Sequence, residues 1–342
     1  MKMLYKLILF FALLISASGV FAQQNQVETA IDLYKRGENR QAVDILERLS
    51  KQKETKTEVK VWNYLGLAYI ELDDLKKARK ALEKANSLSP QNSAVKTNLA
   101  YAYLLSNKLN NAQSELNQAI QLDANNFLAY YVRGTSFLWE KKFDQALSDA
   151  EKAIALQSNY SSAYILKADI LTAKFGRQVT TGTTPKEASN LLQQAVEVLE
   201  SCLKNCQNNA NLQMQQERLE SLKVFYEYFN RNKTSSADLS NAADINIATT
   251  TESNTTPLKI LSKQSASYTD RARQAGINGT ISVYVLFGAN GKILNIIPLN
   301  TLGYGLDEQV FKVVRQIKFE PMTRDGKPVS VVKMVQYSFT IY

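Results

Sequence analysis

The sequence predicts an α-solenoid of paired helices followed by a small α+β domain. Small and apolar residues recur every thirty-four positions through most of the first two hundred, a Ser-, Thr- and Asn-rich stretch breaks the pattern near residue 231, and strand-type alternation then surrounds an Asn-Gly pair. With 342 residues and a hydrophobic fraction of 45%, the chain is long enough to bury two cores.

The opening residues, MKMLYKLILFFALLISASGVFAQQ, place Lys2 and Lys6 ahead of an apolar run from Leu7 to Ala17, followed by small residues with Val20 and Ala22 in cleavage-site spacing. Residues 1–22 are therefore expected to be a secretory signal peptide, and the chain to be periplasmic. The alternative is membrane association through an uncleaved signal, an inner-membrane anchor facing the periplasm. Against it, Leu7 to Ala22 supplies 16 residues where a bilayer span needs roughly 20. Cleavage removes Lys2 and Lys6 and lowers the net charge from +9 to +7. Residues 257–342 hold 11 Lys or Arg against 5 Asp or Glu, a field that favours acidic peptides or anionic lipid surfaces. Nucleic acid is not an expected partner, because these basic residues are dispersed and not aligned on one helix.

There is no histidine, which removes Ser-His-Asp and Cys-His catalysis and His-ligated zinc. The two cysteines, Cys202 and Cys206, lie four apart near a helix end; a short disulfide there and two free thiols are both open readings. Glu71, Asp73 and Asp74 fall on a helix end and its turn, where solvated charge is ordinary. With no phosphate loop and no nucleophile elbow, neither an enzyme nor a cofactor, metal or catalytic site is expected.

The repeat is clearest in "VWNYLGLAYIELDDLKKARKALEKANSLSP", with landmarks Trp62, Leu65, Gly66, Tyr69, Ala78, Leu82, Ala85 and Pro90. Thirty-four residues on stand Leu99, Ala100, Tyr103, Ala112, Leu116 and Ala119, and then Gly134, Phe137, Ala146, Ala150 and Ala153. Ala168 and Leu171 open a further unit, whose second half, Ala188, Leu192 and Ala195, is displaced by "GRQVTTGTTP", read as a loop. A divergent first unit contains Ala30, Ala42, Leu46 and Leu49. Small residues let helices approach while large ones fill the gaps, and one pair cannot bury its apolar face alone, so the units must stack. This spacing resembles the tetratricopeptide repeat over about residues 24–204, with a capping helix from Ala210 to Phe229, making residues 24–230 one array.

The resemblance implies a protein-binding groove lined by the first helix of each pair: Asn63, Leu67 and Ile70, then Thr97, Tyr101 and Leu104, then Tyr131, Thr135 and Leu138, then Ile165 and Asp169. Members that grip a terminal carboxylate place Lys and Asn at matching positions. Here Asn63 and Leu67, or Tyr131 and Thr135, stand there, so the lining suits an apolar protein segment.

Residues 231–256 read as a flexible linker spanning about 30 Å. Beyond them come a helix from Tyr268 to Ala275 closed by Gly276, a strand through Ile281, Val283, Val285 and Phe287, an Asn290-Gly291 turn and a second strand from Lys292 to Leu299. A helix with Leu306, Val310, Val313, Val314 and Ile317 on one stripe, the loop "FEPMTRDGKPV" and a last strand through Val335, Tyr337, Phe339 and Ile341 follow. The expectation is a three-stranded antiparallel sheet with two helices on one face.

This order, with "ARQAGINGT", "LDEQVFKVVRQIKFEP" and "DGKPV", resembles the TonB carboxy-terminal domain family over residues 257–342. The resemblance implies strand addition: a short segment of a TonB-dependent outer-membrane transporter pairs with the last strand, here Val331, Lys333, Val335, Tyr337, Phe339 and Ile341, with Lys333 and Arg324 favouring acidic neighbours. An energy transducer of the family also has a retained anchor and a Pro-rich spacer. This chain has six prolines in all, none between Arg231 and Thr256, and a repeat array in the spacer's place. The expected function is thus an exported protein-protein interaction adaptor, with the membrane-anchored transducer as the alternative and self-pairing of edge strands into a homo-oligomer as another.

Overall fold

The computed structural model describes residues 25–206, 212–230 and 254–341. The expected signal peptide and residues 231–253 of the expected linker lie outside the described residues. The chain forms two compact units, divided between Val132 and Arg133.

The regular elements of the first unit's described residues are all helices: α1 (25–35), α2 (Asn39–Leu49), α3 (Val59–Glu71), α4 (Leu75–Leu88), α5 (Ser93–Leu105), α6 (Leu109–Leu122) and the first half of α7 (Phe127–Trp139). The small landmarks make the core, with Ala30, Ala42, Ala78, Ala85, Ala100, Ala112 and Ala119 fully buried. Each helix pair turns in the same way. The second residue after the first helix takes a left-handed conformation at Asp73 (φ 60°), Asn107 (φ 56°) and Lys141 (φ 60°), positions thirty-four apart. The next N–H reaches back five residues, from Asp74 to the Tyr69 carbonyl, Lys108 to Tyr103 and Lys142 to Phe137, at 2.8–2.9 Å. This is a Schellman turn, which satisfies carbonyls that the helix end leaves unpaired. Asp74 and Asn92 then cap α4 and α5, each accepting from a backbone N–H at 3.1 Å.

The second unit continues with α8 (Phe143–Leu156), α9 (Ser161–Thr180), the single turn α10 (Pro185–Ala188), α11 (Asn190–Asn205) and α12 (Leu212–Asn230). The expected loop at Gly176 is instead the end of α9, which runs 20 residues and leaves only 181–184 between helices. Glycine inside a helix costs about 1 kcal/mol relative to alanine. Here packing compensates: a Cβ at Gly176 would lie 2.0 Å from the Leu299 carbonyl oxygen, so only glycine lets the two backbones meet.

Leu299 belongs to the carboxy-terminal part, where β1 (Thr255–Thr256), β2 (Lys259–Ser262), α13 (Asp270–Gln274), β3 (Gly279–Phe287), β4 (Ile293–Pro298), α14 (Leu306–Val314), β5 (Lys318–Glu320), β6 (Met322–Arg324), β7 (Lys327–Val329) and β8 (Val331–Phe339) follow in order. The main sheet is three-stranded and antiparallel, as expected, and its strand order is β4-β3-β8. Two small sheets accompany it, β1-β6-β7 and β2-β5. Several details differ from the sequence reading. "FEPMTRDGKPV" is not a loop but contains the β6–β7 hairpin, whose Asp325 (φ 52°) and Gly326 (φ 76°) have the positive φ that a tight two-residue turn requires. Thr255 and Thr256, at the end of the expected linker, pair with Arg324 and Thr323.

The β3–β4 connection is wider than a two-residue turn. Of Asn290 and Gly291 only the glycine has positive φ, and the Gly288 N–H bonds the Lys292 carbonyl at 2.8 Å across the loop.

Both faces of the main sheet carry a buried core, where helices on one face were expected, although Met334, Gln336 and Ser338 of β8 stay exposed. On one, Ile281, Val283, Val285 and Phe287 of β3 pack with Val335, Tyr337 and Phe339 of β8 beneath α13 and α14. On the other, Tyr284, Leu286, Ile297 and Leu299 form one core with Leu171 and Phe175 of α9 and Leu219, Leu222 and Phe225 of α12.

Candidate protein-interaction surfaces

In the first unit, the expected groove residues separate by depth. Asn63, Leu67, Tyr101 and Tyr131 are half-buried, whereas Ile70, Thr97 and Leu104 are core residues. Ile70 and Leu104 lie in the last turn of their helices, where the Schellman turn folds the next helix back over them. The Thr97 hydroxyl bonds the Ser93 carbonyl at 2.9 Å and accepts from the Asn126 amide at 3.0 Å, tying one repeat to the next. Asn98 similarly donates to the Asn63 side chain at 2.9 Å. Among the described groove positions of this unit, Leu67, Tyr101 and Tyr131 remain the part-exposed, apolar-bodied side chains.

In the second unit, Thr135 and Ile165 are half-buried and Leu138 is buried. Asp169 is half-buried and forms an ion pair with Arg218 of α12. Burial lowers the Arg218 guanidinium to about 10, and the charge of Asp307 on α14 acts in the opposite direction. Asp307 accepts from the Thr301 hydroxyl and the Gly303 N–H, both at 2.8 Å, and from the Leu302 N–H at 3.4 Å. Desolvation outweighs these donors and pushes its carboxyl up to about 6. Carboxylates on α9 and α14 thus act on one arginine of α12.

Aromatic side chains make the contact between the helices and the sheet. Tyr284 sits among Phe175, Phe225 and Phe229, with ring centroids 5.6–6.5 Å apart. Trp139 lies against Tyr304, centroids 4.4 Å apart, and its indole occupies the space that a Cβ on Gly303 (φ 72°) would need. None of these contacts was read from the sequence. The aromatic run "VFYEYF" at 224–229 was the available signal, since a capping helix exposed to water has little use for it.

Among the described residues, β8 is an edge strand, paired with β3 alone. Of the expected edge residues, Val331, Val335, Tyr337 and Phe339 turn their side chains into the core, Lys333 is exposed, and Ile341 lies beyond the strand with its N–H bonded to Asn278 at 2.8 Å. The outward-facing backbone groups belong to the alternate residues. The Val332 N–H donates to the Tyr228 hydroxyl of α12 at 3.4 Å, and the Gln336 carbonyl accepts from Lys263 at 2.6 Å. Between them Met334 is 41% exposed. Arg324 stands on β6, outside this sheet. The Cys202 and Cys206 thiols are buried and unbridged. Among the described residues, no helix is long and apolar enough to cross a membrane, and no group of three or more Cys, Asp or Glu could hold a metal ion.

Residues 264–341 match the family model described as the Gram-negative bacterial TonB protein C-terminal, and residues 27–93 and 69–133 match two tetratricopeptide repeat models. No curated protein matches the chain. Among solved structures it is similar to a thermophilic tetratricopeptide repeat protein of Thermus thermophilus, 18% identical with a TM-score of 0.48 over 59% of this chain and 99% of that one. It is also similar to MamA, 20% identical with a TM-score of 0.41 over 51% and 96%. The tetratricopeptide repeat domain of Arabidopsis OM64 is 23% identical, with a TM-score of 0.32 over 33% and 93%. Residues 27–133 are therefore tetratricopeptide repeats, and residues 264–341 are a TonB-type C-terminal domain.

Proposed function

We propose that the chain is an adaptor of the Gram-negative cell envelope that joins two protein partners without catalysing a reaction. Its repeats hold one partner through the part-exposed side chains of their first helices, Leu67, Tyr101 and Tyr131. Its TonB-type domain takes an extended segment of a second, a TonB-dependent outer-membrane transporter, along β8. The observation that supports this reading is the position of β8: among the described residues it pairs with β3 alone, so the outer edge of the strand is where backbone pairing can be added. Lys333, exposed on that strand, favours an acidic residue in the added segment.

A photo-reactive residue replacing Met334, followed by mass spectrometry of captured proteins in living cells, tests the proposal. Capture of an outer-membrane transporter supports it. Capture of envelope proteins with no exposed strand, or of another copy of the chain alone, overturns the transporter half.

A second reading, a membrane-anchored energy transducer, draws support from the family match of residues 264–341. It requires the first 22 residues to be retained, and a mature amino terminus at Gln23, read by mass spectrometry, would exclude that anchor.

A further inference from the structure

We propose that Cys202 and Cys206 form a redox site, closing into a disulfide across the carboxy-terminal end of α11 when the protein meets a disulfide oxidant. The two Sγ atoms lie 3.4 Å apart, and the chain has no other cysteine to compete. Side chains four apart on an uninterrupted helix stand about 5–6 Å apart at Cβ, wider than the roughly 3.8 Å of a bridged pair. Here the helix has already ended at the second cysteine. Cys206 is the residue after α11 and has left helical geometry (φ −110°, ψ 43°), while its N–H still bonds the Cys202 carbonyl at 2.7 Å. Bond formation needs the sulfurs to close to about 2.05 Å, a movement that side-chain rotation at a helix cap can supply.

The surroundings hold the pair in place. Tyr164 shares one buried cluster with both cysteines, Ile154 and Val198 pack against that cluster, and the Tyr164 hydroxyl donates to the Ser158 carbonyl at 2.9 Å and accepts from Asn205 at 3.1 Å. Cys202 also approaches Oε1 of Gln215 on α12 at 3.4 Å. Gln215 is itself buried, and its Nε2 has no hydrogen-bond partner among the described residues. Oxidation removes the thiol proton that Gln215 accepts, so α12 is the element that registers the change. Arg218, which pairs with Asp169, lies one turn further along that helix.

The reaction is a two-step exchange with a small-molecule disulfide. The Cys206 thiol gives up its proton as its sulfur attacks one sulfur of the oxidant and releases the first thiolate. Cys202 then loses its proton and displaces the second, leaving one protein disulfide and two reduced small-molecule thiols. Burial pushes the Cys202 thiol up to about 12, which makes the second step slow and the reduced state durable.

The test incubates the full reduced chain with mixtures of oxidised and reduced glutathione at mildly alkaline pH, then quenches with acid and unfolds it. The expected result is loss of both titratable thiols, a mass lower by two hydrogens, and tryptic peptides on either side of Lys204 that stay joined until reductant is added. The Cys202→Ser and Cys206→Ser variants should each keep one thiol and take up at most one glutathione. Two glutathione adducts on the natural chain, disulfide-linked dimers, or two intact thiols at the most oxidising ratio would overturn the proposal. This outcome is independent of which proteins the β8 edge binds.

Discussion

Asp307 opens the first turn of α14, where a carboxylate is ordinarily welcome, because three donors from residues 301–303 converge on it and the helix dipole favours its charge. Burial nonetheless raises its pKa to about 6, so the folded chain holds the proton more tightly than the unfolded chain does. Below the ordinary carboxylate value both states are protonated and this residue contributes no slope. As pH rises from about 4 to about 6 the unfolded state ionises first, and stability falls by on the order of 3 kcal/mol before levelling off. Urea unfolding of the natural chain and of Asp307→Asn across that range should show the variant gaining relative stability as pH rises; a constant difference would refute the assignment. The sequence marked Asp307 as the start of a helix. It could not show the desolvation, because that comes from packing set by tertiary structure.

At the scale of elements, the turn within each helix pair is where sequence and conformation disagree. Asp73 and Asn107 tolerate left-handed backbone, but Lys141 occupies the same position with a long side chain and φ 60°. Lys141→Gly should therefore stabilise the fold by about 0.5–1 kcal/mol, measured as a raised denaturant midpoint with unchanged slope. The helix pairs themselves were legible because Ala78, Ala112 and Ala146 recur at a fixed period and must be buried wherever they recur. Connections were less legible. "GRQVTTGTTP" looks like a loop by composition, yet half of it is helical because Gly176 is needed for close packing and not for a turn. Similarly, Asp325-Gly326 carries a strong hairpin signal that the neighbouring Pro321 and Pro328 obscure. Of the expected groove residues, Asn63, Leu67, Tyr101 and Tyr131 are half-buried, and the helical period alone could not tell that Ile70, Leu104 and Leu138 are core residues.

For the molecule as a whole, the second unit joins the last helices and the TonB-type domain through a single core. Each of Tyr284, Leu286, Ile297 and Leu299 gains about 1.5–3 kcal/mol by leaving water, which together rivals the net stability of about 5–15 kcal/mol typical of a domain. A chain reduced to residues 257–342 should consequently bind an apolar dye and melt well below a chain of residues 133–342; equal thermal midpoints would show that the helices contribute little. The sequence hid this because Tyr284 and Leu286 occupy what looks like the outer face of an amphipathic strand, although the nearly unbroken apolar run from Ile281 to Phe287 already pointed to a strand covered on both sides. Gly176, with the Leu299 carbonyl pressed against it, also bears on how such a chain can change through evolution. Gain or loss of a thirty-four-residue unit within residues 25–132 leaves α9, α11 and α12 with their present residues, whereas duplication or deletion among those three helices would replace the one surface shaped to receive the sheet. Lineages of this architecture should accordingly vary in the number of early repeats while inheriting the last helices and the TonB-type domain together, as a single module.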